Sequence, residues 1–174
     1  MIRIDIDGEE NIARQISRLI ERGHNITPLL QNIGEYVTGV TQERFATSLS
    51  PDGERWASNS PVTFARMLGG QHSRVDGRIN NRGVNRVMSK HILVMSGMLR
   101  NSIHYQVNSM QVLIGTNLVY ATTQQFGAGQ GAFGRSNRNT PLPWGNIPAR
   151  PYLGLSAVDK TTIERMVVDY WSYI

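Results

Sequence analysis

Hydrophobic and polar positions alternate along this chain with two periods. Residues 2–6, Ile-Arg-Ile-Asp-Ile, alternate apolar and polar and read as a short half-buried strand. Asp7-Gly8 turns the chain, and from Glu9 the spacing becomes helical. Ile12, Ile16, Leu19 and Ile20 share one face, and Gly23 reads as the stop. Thr27-Pro28 opens a longer helix, cap followed by proline at the first turn, with a stripe of Leu29, Leu30, Ile33, Val37, Val40 and Phe45. Ser50-Pro51-Asp52-Gly53 is a turn with proline preset at its second position. Ser60-Pro61 precedes a short helix with Phe64 and Leu68 inward.

Residues 69–91 break this order. Arg74, Arg78, Arg82, Arg86 and Lys90 recur every four residues, which on a helix would make one cationic stripe. Gly77, Gly83 and the asparagines around them disfavour a helix, so the segment reads as a mobile basic loop able to order against an acidic partner. Ser96 to Arg100 is a bend or brief helical turn. Ile103, Tyr105 and Val107 alternate, Asn108-Ser109 turns, and Met110, Val112 and Ile114 alternate again, a β-hairpin closing near Gly115. Residues 118–126 suit a short helix. Residues 127–149 hold five glycines and three prolines and read as a second long loop. Ser156 with Asp159 forms a capping box for a last helix, whose apolar face is Ile163, Met166, Val167, Tyr170, Trp171 and Ile174. The expected fold is a single α+β domain over 1–174: two N-terminal helices, a small antiparallel hairpin, a C-terminal helix and two long loops.

Charge adds an asymmetry. The 174 residues carry a net charge of +5 and no cysteine. Residues 1–76 hold eight arginines against ten acids, and residues 159–174 two bases against three acids. Residues 77–158 contain eight bases and no Asp or Glu. Carboxylate dyads and carboxylate metal cages could therefore draw only on the two ends. The missing cysteines exclude disulfides, thiolate nucleophiles and Cys-ligated metal. No apolar run is long enough for a transmembrane helix, and the acidic, alternating N-terminus resembles neither a secretory signal nor a transit peptide. A soluble protein made in a cytoplasm is expected.

Few residues suggest chemistry. Gly129 to Gly134 spells G-x-G-x-x-G, but a helical stretch precedes it and no acid follows before Asp159, so a flexible loop is favoured over a dinucleotide site. His24, His72, His91 and His104 lack metal-ligand spacing, and Ser96 lacks the glycine pattern of a hydrolase elbow. No enzyme, metal or cofactor is expected. The basic loop suits an acidic protein surface first and nucleic acid second. Trp171 reads as core, and Trp56 as folding back over the long helix. Trp144, between Pro143 and Gly145, fits equally a residue tucked under its loop or an interface anchor.

Six short strings occur in a telling order. They are Arg44-Phe45; Ser50-Pro51-Asp52-Gly53-Glu54-Arg55-Trp56; Ile92-Leu93 with Ser96-Gly97-Met98-Leu99-Arg100-Asn101-Ser102-Ile103; Ile114-Gly115-Thr116; Tyr120-Ala121 with Gln125-Phe126-Gly127; and Ile147-Pro148-Ala149-Arg150-Pro151-Tyr152-Leu153-Gly154-Leu155-Ser156. Over residues 30–174 this series resembles the phage virion morphogenesis, or tail-completion, family of Mu-like and P2-like tailed bacteriophages. It is distantly similar to minor tail components of lambdoid phages. The resemblance implies a non-enzymatic virion protein at the neck or head-proximal tail end that completes the tail and helps join it to the head. It implies a homo-oligomeric ring around the DNA channel. The partners would be further copies and other neck, tail-tube or head–tail connector proteins, with non-specific contact to packaged DNA and no membrane. The alternative is a basic-loop nucleic-acid-binding protein acting in phage assembly or DNA packaging.

Within the strings, Pro51, Asp52, Gly53, Trp56, Gly97, Leu99, Arg100, Gly115, Tyr120, Ala121, Phe126, Gly127, Arg150, Pro151, Leu153 and Gly154 read as mainly structural. Gly97 and Gly115 are expected to permit close backbone approach, and Arg150 to serve a buried carboxylate or carbonyl. Relatives often carry a His before the Gln-Phe-Gly string where this chain has Gln124, so no role of that histidine carries over. Candidate interface residues are Arg74, Arg78, Arg82, Arg86, Lys90, Arg135, Arg138 and Trp144.

Overall fold

The longest element is helix α1, Thr27–Thr47, in a computed structural model that describes residues 25–59, 92–93, 96–108 and 110–172, with Ser17, Ile20, Glu21 and Gly23. The strand expected at 2–6, the helix expected after Ser60-Pro61 and the basic loop 69–91 lie outside the described residues. Of the helix expected from Glu9, the described positions Ser17, Ile20, Glu21 and Gly23 are helical. Gly23 thus belongs to that helix rather than following it.

The start of α1 departs from expectation. Thr27 is already helical rather than the cap, and Asn25 Oδ1 accepts its N–H at 3.2 Å. The first-turn amides have no carbonyl one turn earlier, and this asparagine supplies one acceptor. At the far end Ser48 turns left-handed and donates its N–H to the Arg44 carbonyl at 2.7 Å. The buried face of α1 reads Leu29, Gly34, Val37, Thr41, Arg44 and Phe45. A glycine, a threonine and an arginine thus lie among the apolar residues that the periodicity picks out.

The hairpin lies across α1. Strands β1 (His104–Asn108) and β2 (Gln111–Gly115) pair antiparallel, with Tyr105 opposite Ile114 and Asn108 opposite Gln111. Asn108, expected in the turn, is instead paired with Gln111 as the last residue of β1. Met110 consequently projects into solvent instead of pointing inward. Tyr105, Val107, Val112 and Ile114 form the half-buried face. A Cβ on Gly34 would lie 2.5 Å from Tyr105 Cδ2 and 2.6 Å from Cγ, so the tyrosine ring rests on bare helix backbone. Gly39, also in α1, is exposed, and nothing lies within 4 Å of where its Cβ would be.

Two short helices, α2 (Met98–Asn101) and α3 (Ala121–Phe126), and the longer α4 (Ala157–Ser172) complete the regular structure. The core is Phe45, Trp56, Leu99, Ile103, Ala121 and Tyr152. Phe45 meets Trp56 edge-on at a centroid distance of 5.4 Å and Tyr152 at 5.3 Å. The capping box at Ser156 and Asp159 forms as expected, and α4 packs on α1. Its apolar face is only half-buried, and Trp171, expected in the core, is partly exposed. Ile174 lies outside the described residues.

Residues 127–149 are not an open loop. Ala128 bridges Ile147 and Arg135 bridges Pro141. Between them Phe133 N–H donates to Leu142 O at 2.7 Å and Leu142 N–H to Gly134 O at 2.8 Å. The segment is a folded-back arm, with Gly131 and Gly134 of the G-x-G-x-x-G string in its bends at positive φ.

The two α1 glycines should respond oppositely to alanine. Gly39→Ala is expected to raise stability by about 0.5–1 kcal/mol through helix propensity and unfolded-chain entropy. Gly34→Ala must displace the Tyr105 ring and is expected to lower stability by about 1–3 kcal/mol. Urea unfolding of both variants checks this, and equal shifts would contradict the packing described.

Candidate functional site

The strings that are scattered in sequence converge around the segment Arg150–Ser156. From the last turn of α1, Arg44 donates Nη1 to the carbonyls of Tyr152 at 2.9 Å and Gly154 at 2.8 Å. Its Nη2 meets Asp159 Oδ2 at 2.6 Å, an ion pair buried on both sides. Asp159 also accepts the Ser156 N–H at 2.8 Å and the Tyr36 hydroxyl at 3.1 Å, while Ser156 Oγ accepts the Asp159 N–H at 3.1 Å. Both terminal nitrogens of Arg44 thus have acceptors, one of them a carboxylate, the kind of pairing under which a buried guanidinium is tolerated.

Three further side chains close on the same segment. Trp56, swung back by the turn at Pro51-Asp52-Gly53, donates Nε1–H to Pro151 O at 2.8 Å. Pro51 itself packs on Gly154, where a Cβ would lie 2.8 Å from Pro51 Cγ. Gln125, on α3, accepts the N–H groups of Tyr152 and Leu153 at Oε1 and donates Nε2–H to Leu153 O, all at 3.0 Å. A side-chain amide used this way copies a β-ladder for an extended segment that has no strand partner.

Arg150 is buried and takes carbonyls, one of the two partner types expected for it: Nε–H to Ala57 O at 2.9 Å and Nη2–H to Ser58 O at 3.0 Å. Burial pushes its pKa down from the ordinary arginine value. Gln124, at the position where relatives often have His, lies 3.5 Å from Arg150 Nη1 through Oε1, and its carbonyl accepts the Arg150 N–H at 2.8 Å.

The glycines divide differently from expectation. Gly97 serves through its positive φ at the start of α2, and Gly115 has open space at its Cβ position, so neither is closely approached by backbone. The close approach falls on Gly127, where a Cβ would lie 2.7 Å from Ile147 O and 2.9 Å from Ala149 N. That contact, with φ +75°, starts the arm hard against the Arg150 segment.

Leu99 and Ala121 are core, Leu153 packs against it, and Arg100 is half-buried with Nε–H on Asn101. Asp52 and Gly53 lie exposed at their turn. Two aromatic residues of the strings face outward, Phe126 at 74% exposed and Tyr120 at 44%, and the string residues Met98 and Leu155 are exposed as well. On the arm, Phe133 and Trp144 are 60% and 61% exposed, and Arg135 and Arg138 are exposed. Arg135 is held by Asn139, donating Nη1 to its carbonyl at 2.9 Å and its Oδ1 at 3.2 Å. Arg74, Arg78, Arg82, Arg86 and Lys90 lie outside the described residues. Sequence reasoning passed over Gly34, Gln125 and the Tyr36 hydroxyl. Of these only Gln125, inside a family string, carried any signal.

Among the described residues no three His, Asp or Glu side chains are grouped to hold a metal ion, and no helix is long and apolar enough to cross a membrane. What the arrangement provides is a braced platform bearing exposed aromatic and cationic side chains.

Burial alone would raise the Asp159 pKa. The Ser156 N–H and hydroxyl, the Tyr36 hydroxyl and Arg44 outweigh it and hold the carboxyl below its ordinary value of 3.8. A depressed folded-state pKa stabilises the fold above the unfolded value, and that contribution is lost as pH falls through the folded one. Asp159→Asn is therefore expected to destabilise by about 3 kcal/mol at pH 7. The gap to the native chain should narrow as pH drops below about 4. Denaturation across pH checks it, and a gap of constant size from neutral to strongly acid pH would contradict the assignment.

The profile of a phage virion morphogenesis family matches residues 7–172. The Mu-like prophage FluMu G protein 2 of Haemophilus influenzae is 23% identical over 174 residues, which is 100% of this chain and 99% of that protein. No solved structure matches. With nearly its whole length matched, and with several of the strings that carry the resemblance meeting on the segment Arg150–Ser156, the chain belongs to the phage virion morphogenesis family.

Proposed function

We propose that this chain is a structural virion protein of the head-proximal tail end, which completes the tail and helps join tail to head. It acts by binding, not catalysis, as a homo-oligomeric ring around the DNA channel. Its partners are further copies of itself and neighbouring neck, tail-tube or connector proteins. The family supports the virion role. The observation that carries the binding role is the outward set of Tyr120, Phe126, Phe133 and Trp144 on and beside a braced arm. Large aromatics on a rigid base anchor protein interfaces, because they bury much area while losing little conformational freedom. Burial of Arg44, Phe45, Trp56, Leu99, Ile103, Ala121, Arg150 and Tyr152 supports a division of labour, in which these string residues hold the platform and the arm meets the partner.

A phage with a nonsense codon in this gene provides the test. Electron microscopy of the lysate should show DNA-filled heads and separate tails, and a plasmid copy of the gene should restore joined particles. Joined, infectious particles made without the protein would overturn the reading.

A further inference from the structure

We propose that the arm of one copy docks head-to-tail on the solvent face of α1 in the next copy, setting Arg135 and Arg138 against Glu35 and Glu43. This names the partner surface within the ring and rests on the ring reading.

The two surfaces are complementary in charge. The arm, residues 127–149, has two arginines and no acid. Helix α1 has two acids and one base, and that base, Arg44, is buried and already paired with Asp159. Its solvent face therefore presents Glu35 and Glu43 with no cation beside them on the helix. The two carboxylates are eight residues apart, about 12 Å along the axis at 1.5 Å per residue. Gly39 lies midway, one turn from each, exposed and with nothing near its missing side chain. A glycine there weakens the helix and serves no contact among the described residues. It leaves the helix backbone between two anions open to close approach by a neighbouring chain.

Both sides are prepared in the single chain. Asn139 fixes Arg135, and Tyr105 donates its hydroxyl to Glu35 at 3.3 Å. Arg138 and Glu43 are exposed, and neither forms an ion pair among the described residues. Because the cationic patch and the anionic patch are different surfaces of one chain, self-association through them is heterologous. Each copy uses its arm on one neighbour and its α1 on the other, and such a contact closes into a ring when the rotation permits.

The chain contains no cysteine, so introduced thiols are unambiguous. Arg138→Cys and Glu43→Cys chains are produced separately and together in cells infected with phage lacking the gene, then treated with a short bismaleimide. A covalent dimer is expected only where both variants are present, at least about tenfold above either alone, and the doubly substituted chain should give a ladder. Gly39→Trp, whose Cβ meets open space within the chain, should cut that yield about tenfold without lowering the thermal unfolding temperature. Dimers from one variant alone, coupling of Arg138→Cys to a different virion protein, no mixed dimer, or a yield indifferent to Gly39→Trp would each overturn the proposal. Microscopy of the same lysates separates the two levels. A phage that still needs the gene for joined particles but yields no mixed dimer refutes the docking and spares the tail-end role.

Discussion

Arg44 reaches from the last turn of the long helix, beside the buried ring of Phe45, and binds two carbonyls of an extended segment and the carboxylate that begins the last helix. The partners lie between 108 and 115 residues away in sequence. A guanidinium suits this position because its planar fork can address several acceptors at once while its stem packs among apolar neighbours. A lysine would leave acceptors unfilled, and an apolar residue would strand the Asp159 charge. Because charge, carbonyls and capping amide are all mutually satisfied, the centre fixes one register between α1, the segment at Tyr152 and α4.

That register sets the surface. Gln125 and Gly127 belong to the same construction: the first clamps the backbone at Tyr152 and Leu153, the second brings the arm's root against Ile147 and Ala149. The arm therefore leaves the core at a defined point, and its bridges carry that definition outward to Phe133 and Arg135. A protein that must be built into a larger assembly benefits from binding residues placed in advance, since less ordering remains to be done on contact.

Legibility in the sequence followed the range of the interaction. The turn at Pro51-Asp52-Gly53, the hairpin and the capping box at Ser156 and Asp159 are decided within a few residues, and all three are present. Asn108 looked like a turn residue, yet cross-strand pairing with Gln111 prevailed. Gly34 could not be read, since its reason is a tyrosine that arrives from β1. The arm looked like loose chain because glycine and proline mark both loops and tight bends, and only its own cross-bridges distinguish the two. Arg150 was legible in type but not in partner, because neither Ala57 nor Ser58 advertises a free carbonyl. The convergence of the strings was legible only as order along the chain. Their meeting on one segment required the fold.

Native-state hydrogen exchange at the amides of Tyr152, Leu153 and Ser156 reads the centre directly. None of these lies in a helix or strand, and each donates to a side chain. If Arg44 holds the fold together, they should exchange as slowly as the middle of α1, and Arg44→Met should speed them at least about a hundredfold. Exchange as fast as that of the exposed arm turns, or rates unmoved by the substitution, would contradict it.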